Sequence, residues 1–391
     1  ERATEKMSSL GFAYAAKTLR GGGDQPLAKG AKLIQPDLAK TLILVRDGGA
    51  KAFYEGDLAA KLASEVKRAG GIWKPEDLAG YEAKWRAPIR FPYRGHEVIT
   101  MPPPSAGGIV MRQLLAASEA LGLEKHPHRS AAEVHFFTEA MRRAYADRNM
   151  LLADPDFVKL PLETLMDPTY IKERVRTVGE KATPSKDVAA GVEGKKESEQ
   201  TTHLSVVDGE GAAVAITTTL NTGYGSKFMV EGTGVLLNNE MDDFAVAPGK
   251  PNVFGLVQGE ANKIEPKKRM LSSMTPTILV KDGELRAVLG SPGGPTITTT
   301  VAQLARGRVD YGLPLDQAVP AVRFHHQWLP DQIFTEESAP AELVAGLEAR
   351  GHKVVKRSRI GHANCIEVDP VTRGFRAVAD TTRAGGKAAA Y

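Results

Sequence analysis

Glu199-Gln200-Thr201-Thr202-His203-Leu204-Ser205-Val206-Val207-Asp208 marks a change of character near the middle of a chain of 391 residues. Upstream, residues 179–200 hold no Leu, Ile or aromatic side chain and are rich in Lys, Glu, Gly and Ser. Such a composition buries too little apolar surface to order itself, so a flexible tract is predicted there. Downstream, residues 203–208 and 213–220 read as two strands around Asp208-Gly209-Glu210-Gly211, a hairpin signal. An ordinary linker followed by a strand accounts for this boundary. A second reading gives it chemistry.

A threonine hydroxyl is a weak nucleophile until a base takes its proton. At an N-terminal threonine the α-amine, with an unperturbed pKa of about 8, serves as that base. Thr201 lies inside the chain, so a cut between Gln200 and Thr201 must come first, and the Thr201 hydroxyl is placed to make it by attacking the Gln200 carbonyl. Clusters further on support this reading. Thr217-Thr218-Thr219-Leu220-Asn221 ends the hairpin's second strand, where its side chains reach the start of the first. Asn238-Asn239-Glu240-Met241-Asp242-Asp243 offers amides and carboxylates, and Leu271-Ser272-Ser273-Met274 offers two hydroxyls before a strand. The backbone amides of Ser291-Pro292-Gly293-Gly294 suit an oxyanion. Singly, each cluster is common structural punctuation. Together they describe a pocket for an amino-acid-like acyl donor.

Composition narrows the class. Hydrophobic residues make up 42% and charged residues 25%, as in ordinary globular domains. The net charge of +4 is mild, and Lys195-Lys196 and Lys267-Lys268-Arg269 are short solvated runs that do not point to nucleic acid. Cys365 is the sole cysteine, which excludes an internal disulfide and a multi-thiolate metal site; it reads as a buried thiol. No apolar run approaches the roughly 20 residues of a membrane span. The chain enters a helical pattern directly at Glu1 and is read as a piece whose natural beginning is absent.

Helices are predicted over residues 1–23, 36–46, 56–69, 109–121, 131–152, 168–178, 296–306, 316–323 and 341–350. Ser130 and Glu133 form a capping box for the fifth of these. Strands are predicted within 89–101, over 276–280 and 285–289 around Asp282-Gly283, and near 352–355, 365–369 and 375–379. Residues 244–255 read as a surface loop. Met101-Pro102-Pro103-Pro104-Ser105-Ala106-Gly107-Gly108 reads either as a ligand-binding loop or as a place of tight packing. Tyr145-Ala146-Asp147-Arg148 reads as a buried or half-buried ion pair rather than as catalytic. The order of elements predicts an α+β arrangement of sheets covered by helices.

These segments resemble the gamma-glutamyltransferase (gamma-glutamyltranspeptidase) family of N-terminal nucleophile hydrolases. The resemblance rests on the segments from Met101 to Gly108, Tyr145 to Arg148 and Thr201 to Ser205, on Asp154-Pro155-Asp156-Phe157-Val158, on Leu236-Leu237-Asn238-Asn239-Glu240-Met241-Asp242-Asp243-Phe244, on Pro251-Asn252-Val253, on Lys268-Arg269-Met270-Leu271-Ser272-Ser273-Met274-Thr275-Pro276, on Gly290-Ser291-Pro292-Gly293-Gly294, and on Arg323-Phe324-His325-His326-Gln327-Trp328, in family order. It implies a four-layer αββα sandwich. It implies a precursor cut at Gln200-Thr201 into a large-subunit part, residues 1–200, and a small subunit, residues 201–391, which together form one domain. It implies Thr201 as nucleophile, Thr219 assisting it, and Gly293 and Gly294 as oxyanion hole. Asn221, Glu240 and Asp243 would hold the α-amino and α-carboxylate groups of a γ-glutamyl donor such as glutathione, with Ser272 and Ser273 on the carboxylate. Water, an amino acid or a peptide would accept the acyl group. No cofactor or metal is implied, His325 and His326 being structural, and the compartment would be periplasmic or secreted. Family members carry a further N-terminal part with a carboxylate-binding arginine, and residue 1 is read as lying beyond it. The 244–255 loop resembles a lid, with Phe254 where a tyrosine is often found. A glutaryl-type or poly-γ-glutamyl acylase, and a non-catalytic unprocessed remnant that binds a ligand or partner, are the alternatives.

Overall fold

The computed structural model describes residues 1–188, 201–369, 371–383 and 385–390. Gln200, with the rest of the upstream tract from residue 189, lies outside the described residues. The chain divides into two compact units, residues 1–86 with 220–239, and residues 87–219 with 240–391. Each unit therefore draws on both sides of the Gln200-Thr201 boundary.

The smaller unit holds helices Arg2–Ser9, Ala13–Leu19, Pro36–Tyr54, Gly56–Arg68 and Pro75–Ala79, with a short hairpin of Met229–Val230 and Val235–Leu236. The helix expected over residues 1–23 is two, separated at Gly11, whose φ of 79° no helix contains. The helix expected to end at residue 46 runs on to Tyr54, broken at Gly49 with φ 64°.

The larger unit is built on a six-stranded antiparallel sheet: Ile89–Tyr93, His96–Thr100, Thr277–Lys281, Glu284–Leu289, Asn364–Val368 and Phe375–Ala379. Its first two strands precede residue 200 and the other four follow it. The junction runs from Glu97↔Val280 to Thr100↔Thr277. Helices Gly107–Leu121, Ala131–Leu151 and Thr296–Val309 share one core with Val98, Leu279, Ala287 and Leu289. The hairpin of Thr202–Val207 and Ala213–Thr218 packs on Glu284–Leu289 and Asn364–Val368. The period of two sends its side chains to opposite faces. Ser205 Oγ donates to the Asn364 carbonyl at 2.9 Å, while Leu204, Val206, Val214 and Ile216 remain exposed. Helix layer, sheet and hairpin follow the expected αββα plan. Cys365 is buried, its thiol pushed up to about 12 by burial.

Several local expectations change. Residues 316–323 form only the turn Leu315–Ala318, because the chain must enter strand Phe324–His325. That strand, Ile333–Glu336 and Val354–Arg357 make a second sheet of three. Ile333–Glu336 is buried on both faces and carries no alternation to detect. Loop 244–255 is exposed only in its middle, with Phe244 and Phe254 buried. Ser130 caps its helix by accepting from Glu133 N at 3.2 Å, but the Glu133 carboxylate turns to Arg129 N and Arg306 instead of closing the box.

The largest correction concerns the tract before the boundary, whose first ten residues are fastened down. His135 Nε2 meets the Gly179 carbonyl at 2.8 Å, and Thr183 N donates to Glu139 Oε1 at 3.1 Å. Ser185 N donates to Asp331 Oδ2 at 2.7 Å, and Trp328 Nε1 donates to the Ser185 carbonyl at 3.0 Å. Ala182 N donates to the Arg350 carbonyl at 2.8 Å. Side chains and one backbone carbonyl of neighbouring elements satisfy this backbone, a source of order that apolar composition does not register.

Burial holds several histidines neutral: His325 and His352 are pushed down to about 3, and His203 and His326 to about 4. In the unfolded chain they titrate near 6.5. Between pH 6.5 and about 4 the unfolded state binds more protons, so stability is full above 6.5 and falls as pH drops through that window. Thermal melts across pH 7 to 4 are expected to show a Tm falling by several degrees or more. A flat Tm would contradict this burial.

Candidate active site

Thr201 sits half-buried, one residue before strand Thr202–Val207. The register Thr202↔Thr218 carries one step further, and the Thr201 and Thr219 hydroxyls meet at 3.3 Å. The hairpin thus brings together the two threonines that the sequence pairs. His203, the next inward side chain, bonds Thr217 Oγ1 at 2.9 Å through Nδ1 and Ser205 Oγ at 3.1 Å through Nε2. A Cβ on Gly290 would lie 1.9 Å from the His203 ring, so only glycine admits this contact. It ties the start of strand Thr202–Val207 to the loop that carries Gly293 and Gly294.

Gly293 and Gly294 have φ of 141° and 52°, conformations that favour glycine. They lead into the N-terminus of Thr296–Val309, where backbone amides and the helix dipole favour negative charge. The Phe254 ring covers Gly294, whose Cβ would stand 2.8 Å from Cε1.

Ser272 and Ser273 are held from both sides. Ser272 N donates to the Pro104 carbonyl and Ala106 N to the Ser272 carbonyl, each at 2.9 Å. A Cβ on Gly107 would fall 2.4 Å from the Met274 carbonyl. The Pro-Pro-Pro-Ser-Ala-Gly-Gly run is therefore a packing device that fixes the two serines, the second of the readings its sequence allowed. Ser273 Oγ accepts from Arg148 Nη2 at 2.9 Å.

Glu240 and Asp243 lie on the turn Glu240–Asp243. Burial, together with the Glu240 carboxylate beside it, holds Asp243 well above the usual carboxylate range, against the opposing pull of Arg148. Asp242 accepts from Val253 N at 2.8 Å and anchors the loop. Asn221 falls in the smaller unit with φ 74°, its Nδ2 donating to the Asn239 carbonyl at 3.1 Å.

Asp147 is a structural ion, as expected, but its partner is Arg174 at 2.9 Å, with Gln113 and Tyr170 also donating to it. The neighbouring Arg148 turns to Ser273 instead. Arg148 and His203 lie within the sequence motifs, which assign them no role. A polar residue at an inward strand position was the available signal for His203.

His325 bonds Thr299 Oγ1 and Gln327 Oε1, and His326 Nδ1 accepts from Trp328 N, so these side chains serve packing. Among the described residues, His135, Glu139 and His352 bring ligand-type atoms within 4.8 Å of one another. The trio makes a poor cation cage. His135 and His352 are hydrogen-bonded at 2.7 Å, and the Glu139 carboxylate is occupied by Arg142 and Arg143.

A family model described as Gamma-glutamyltranspeptidase matches residues 3–390. A protein named Glutathione hydrolase proenzyme from Escherichia coli (strain K12) is 46% identical over 347 residues, 88% of this chain and 60% of that protein. One named Acylase ACY 1 proenzyme from Pseudomonas sp. (strain V22) is 37% identical over 358 residues, 91% of this chain and 61% of that protein. The crystal structure of cephalosporin acylase from Bacillus halodurans superposes with a TM-score of 0.84 at 24% identity, covering 100% of this chain and 69% of that one, a likeness of fold. The chain thus spans less than two thirds of the length of these curated relatives. The chain belongs to the gamma-glutamyltranspeptidase family.

Proposed function

We propose that this chain carries the acyl-transfer machinery of a gamma-glutamyltransferase or glutathione hydrolase, matured by a cut at Gln200-Thr201. The observation that carries the reading is the contact of the Thr201 and Thr219 hydroxyls at the start of the hairpin. In maturation, Thr201 Oγ1 attacks the Gln200 carbonyl, the peptide bond becomes an ester with a free α-amine, and water releases the upstream part. Residues 1–200 and 201–391 are then the two subunits.

In turnover the Thr201 α-amine takes the hydroxyl proton, with Thr219 orienting Oγ1. The Oγ1–C bond forms at the γ-carbonyl while Gly293 and Gly294 N–H groups donate to the oxyanion. The C–N bond then breaks, and the proton passes from the α-amine to the leaving amine. Water or an acceptor amine attacks the ester and restores Thr201. Glu240 and Asp243 hold the α-amino end of the donor's head group, and Ser272 and Ser273 its carboxylate. An incoming ammonium favours ionisation of Asp243, which its surroundings otherwise resist. The donor is glutathione or a related γ-glutamyl amide, and the compartment periplasmic or secreted. No helix among the described residues is long and apolar enough to cross a membrane.

A glutaryl acylase is the rival, favoured by the relative named as an acylase. A glutaryl head group has no ammonium to meet Glu240 and Asp243, so γ-glutamyl-p-nitroanilide is expected to react at least about tenfold faster, in kcat/KM, than its glutaryl analogue. Preference for the glutaryl compound would overturn the assignment.

A further inference from the structure

Arg148, near the end of helix Ala131–Leu151, is 2% exposed. A buried guanidinium normally has a carboxylate beside it, because desolvating an unpaired charge is costly. Arg306 meets Glu133 and Asp310, Arg323 meets Asp380, and Arg142 and Arg143 share Glu139. Among the described residues Arg148 has no such ion pair. Nη2 donates to Ser273 Oγ and Nη1 to Asn149 Oδ1, each at 2.9 Å, while Nε has no hydrogen-bond partner. The Tyr145 phenol and the Asp243 carboxyl are the acidic groups whose fields reach it, and that carboxyl is itself disposed to stay protonated. A cation without a full counter-ion thus lies behind Ser273.

Arginine only donates hydrogen bonds, so Ser273 Oγ spends a lone pair on Arg148 and keeps its own O–H for another acceptor. A hydroxyl polarised by a cation is the stronger donor. The geometry points to Arg148 as a positioning residue for a carboxylate ligand: it fixes the Ser273 hydroxyl as a donor and supplies positive potential behind it. This rests on the reading above, in which Ser273 meets the donor's carboxylate.

The test uses the full chain with γ-glutamyl-p-nitroanilide and with 4-aminobutyryl-p-nitroanilide, which lacks the α-carboxylate. Arg148→Gln is expected to raise KM for the first about 10- to 100-fold with kcat changed less than about threefold, the scale of one charge-assisted contact. The second should lose far less. Arg148→Lys should recover part of the loss, and Arg148→Gln with Ser273→Ala should be little worse than Ser273→Ala alone. Equal losses on both substrates, an unchanged KM, or fully additive losses would overturn the inference. Where Arg148→Gln fails to fold, Arg148→Lys decides on the same two-substrate comparison. A wild-type chain without turnover overturns the underlying reading and this inference with it; an active wild type with an indifferent Arg148→Gln overturns this inference alone.

Discussion

Thr201→Ala is expected to leave one band near 42 kDa on a denaturing gel, where the parent chain is expected to give two bands of similar size. Turnover of a γ-glutamyl anilide should fall by about 10⁴-fold or more, the scale of losing a nucleophile. In the proposed mechanism both losses come from one oxygen, because the hydroxyl that would cut the chain is the hydroxyl that would carry the acyl group. Thr201→Ser keeps an oxygen at that position and should still cut, more slowly. Thr219→Ala keeps the nucleophile but removes the contact at 3.3 Å, so it should slow both steps without abolishing either. Cleavage of Thr201→Ala at the same bond would remove Thr201 from the mechanism of maturation.

Glu139→Ala should strongly destabilise the larger unit while leaving the reacting groups untouched. Glu139 is fully buried between Arg142 and Arg143, both themselves buried, and also accepts from Thr183 N. Removing it leaves two guanidinium groups in the interior with less compensation, a loss of about 3–5 kcal/mol. Urea unfolding measures it. Glu139→Gln, which keeps acceptor capacity without the charge, should lose less. Residues 179–188 should also loosen, and limited proteolysis at Lys181 reports that. A Glu139→Ala variant as stable as the parent would mean that the arginines find other partners.

Much of the fold was legible where pattern and physical cause coincide. The hairpin alternates from His203 to Val207 because one face packs and the other does not, and its register could be counted out to Thr201 and Thr219. Ile333–Glu336 was illegible because a strand buried on both faces has no alternation. Residues 179–188 were misjudged because their order comes from polar partners such as Glu139 and Trp328, distant in sequence. The candidate site divides in the same way. Chemistry-bearing residue types named themselves, while Arg148 and Gly290 gain meaning only through Ser273 and His203.

The sheet pairs Glu97–Thr100 with strand Thr277–Lys281 across the proposed cut, and each compact unit takes residues from both sides of it. Before cleavage these pairings close a loop within one molecule, at an entropic cost that grows only slowly with loop length. Afterwards the same pairings join two molecules, and re-forming them depends on concentration. Maturation would therefore leave the folded state almost unaltered while making its loss hard to reverse. The processed enzyme would persist through slow unfolding rather than through ready refolding, and it should recover from denaturant far less completely than uncut Thr201→Ala.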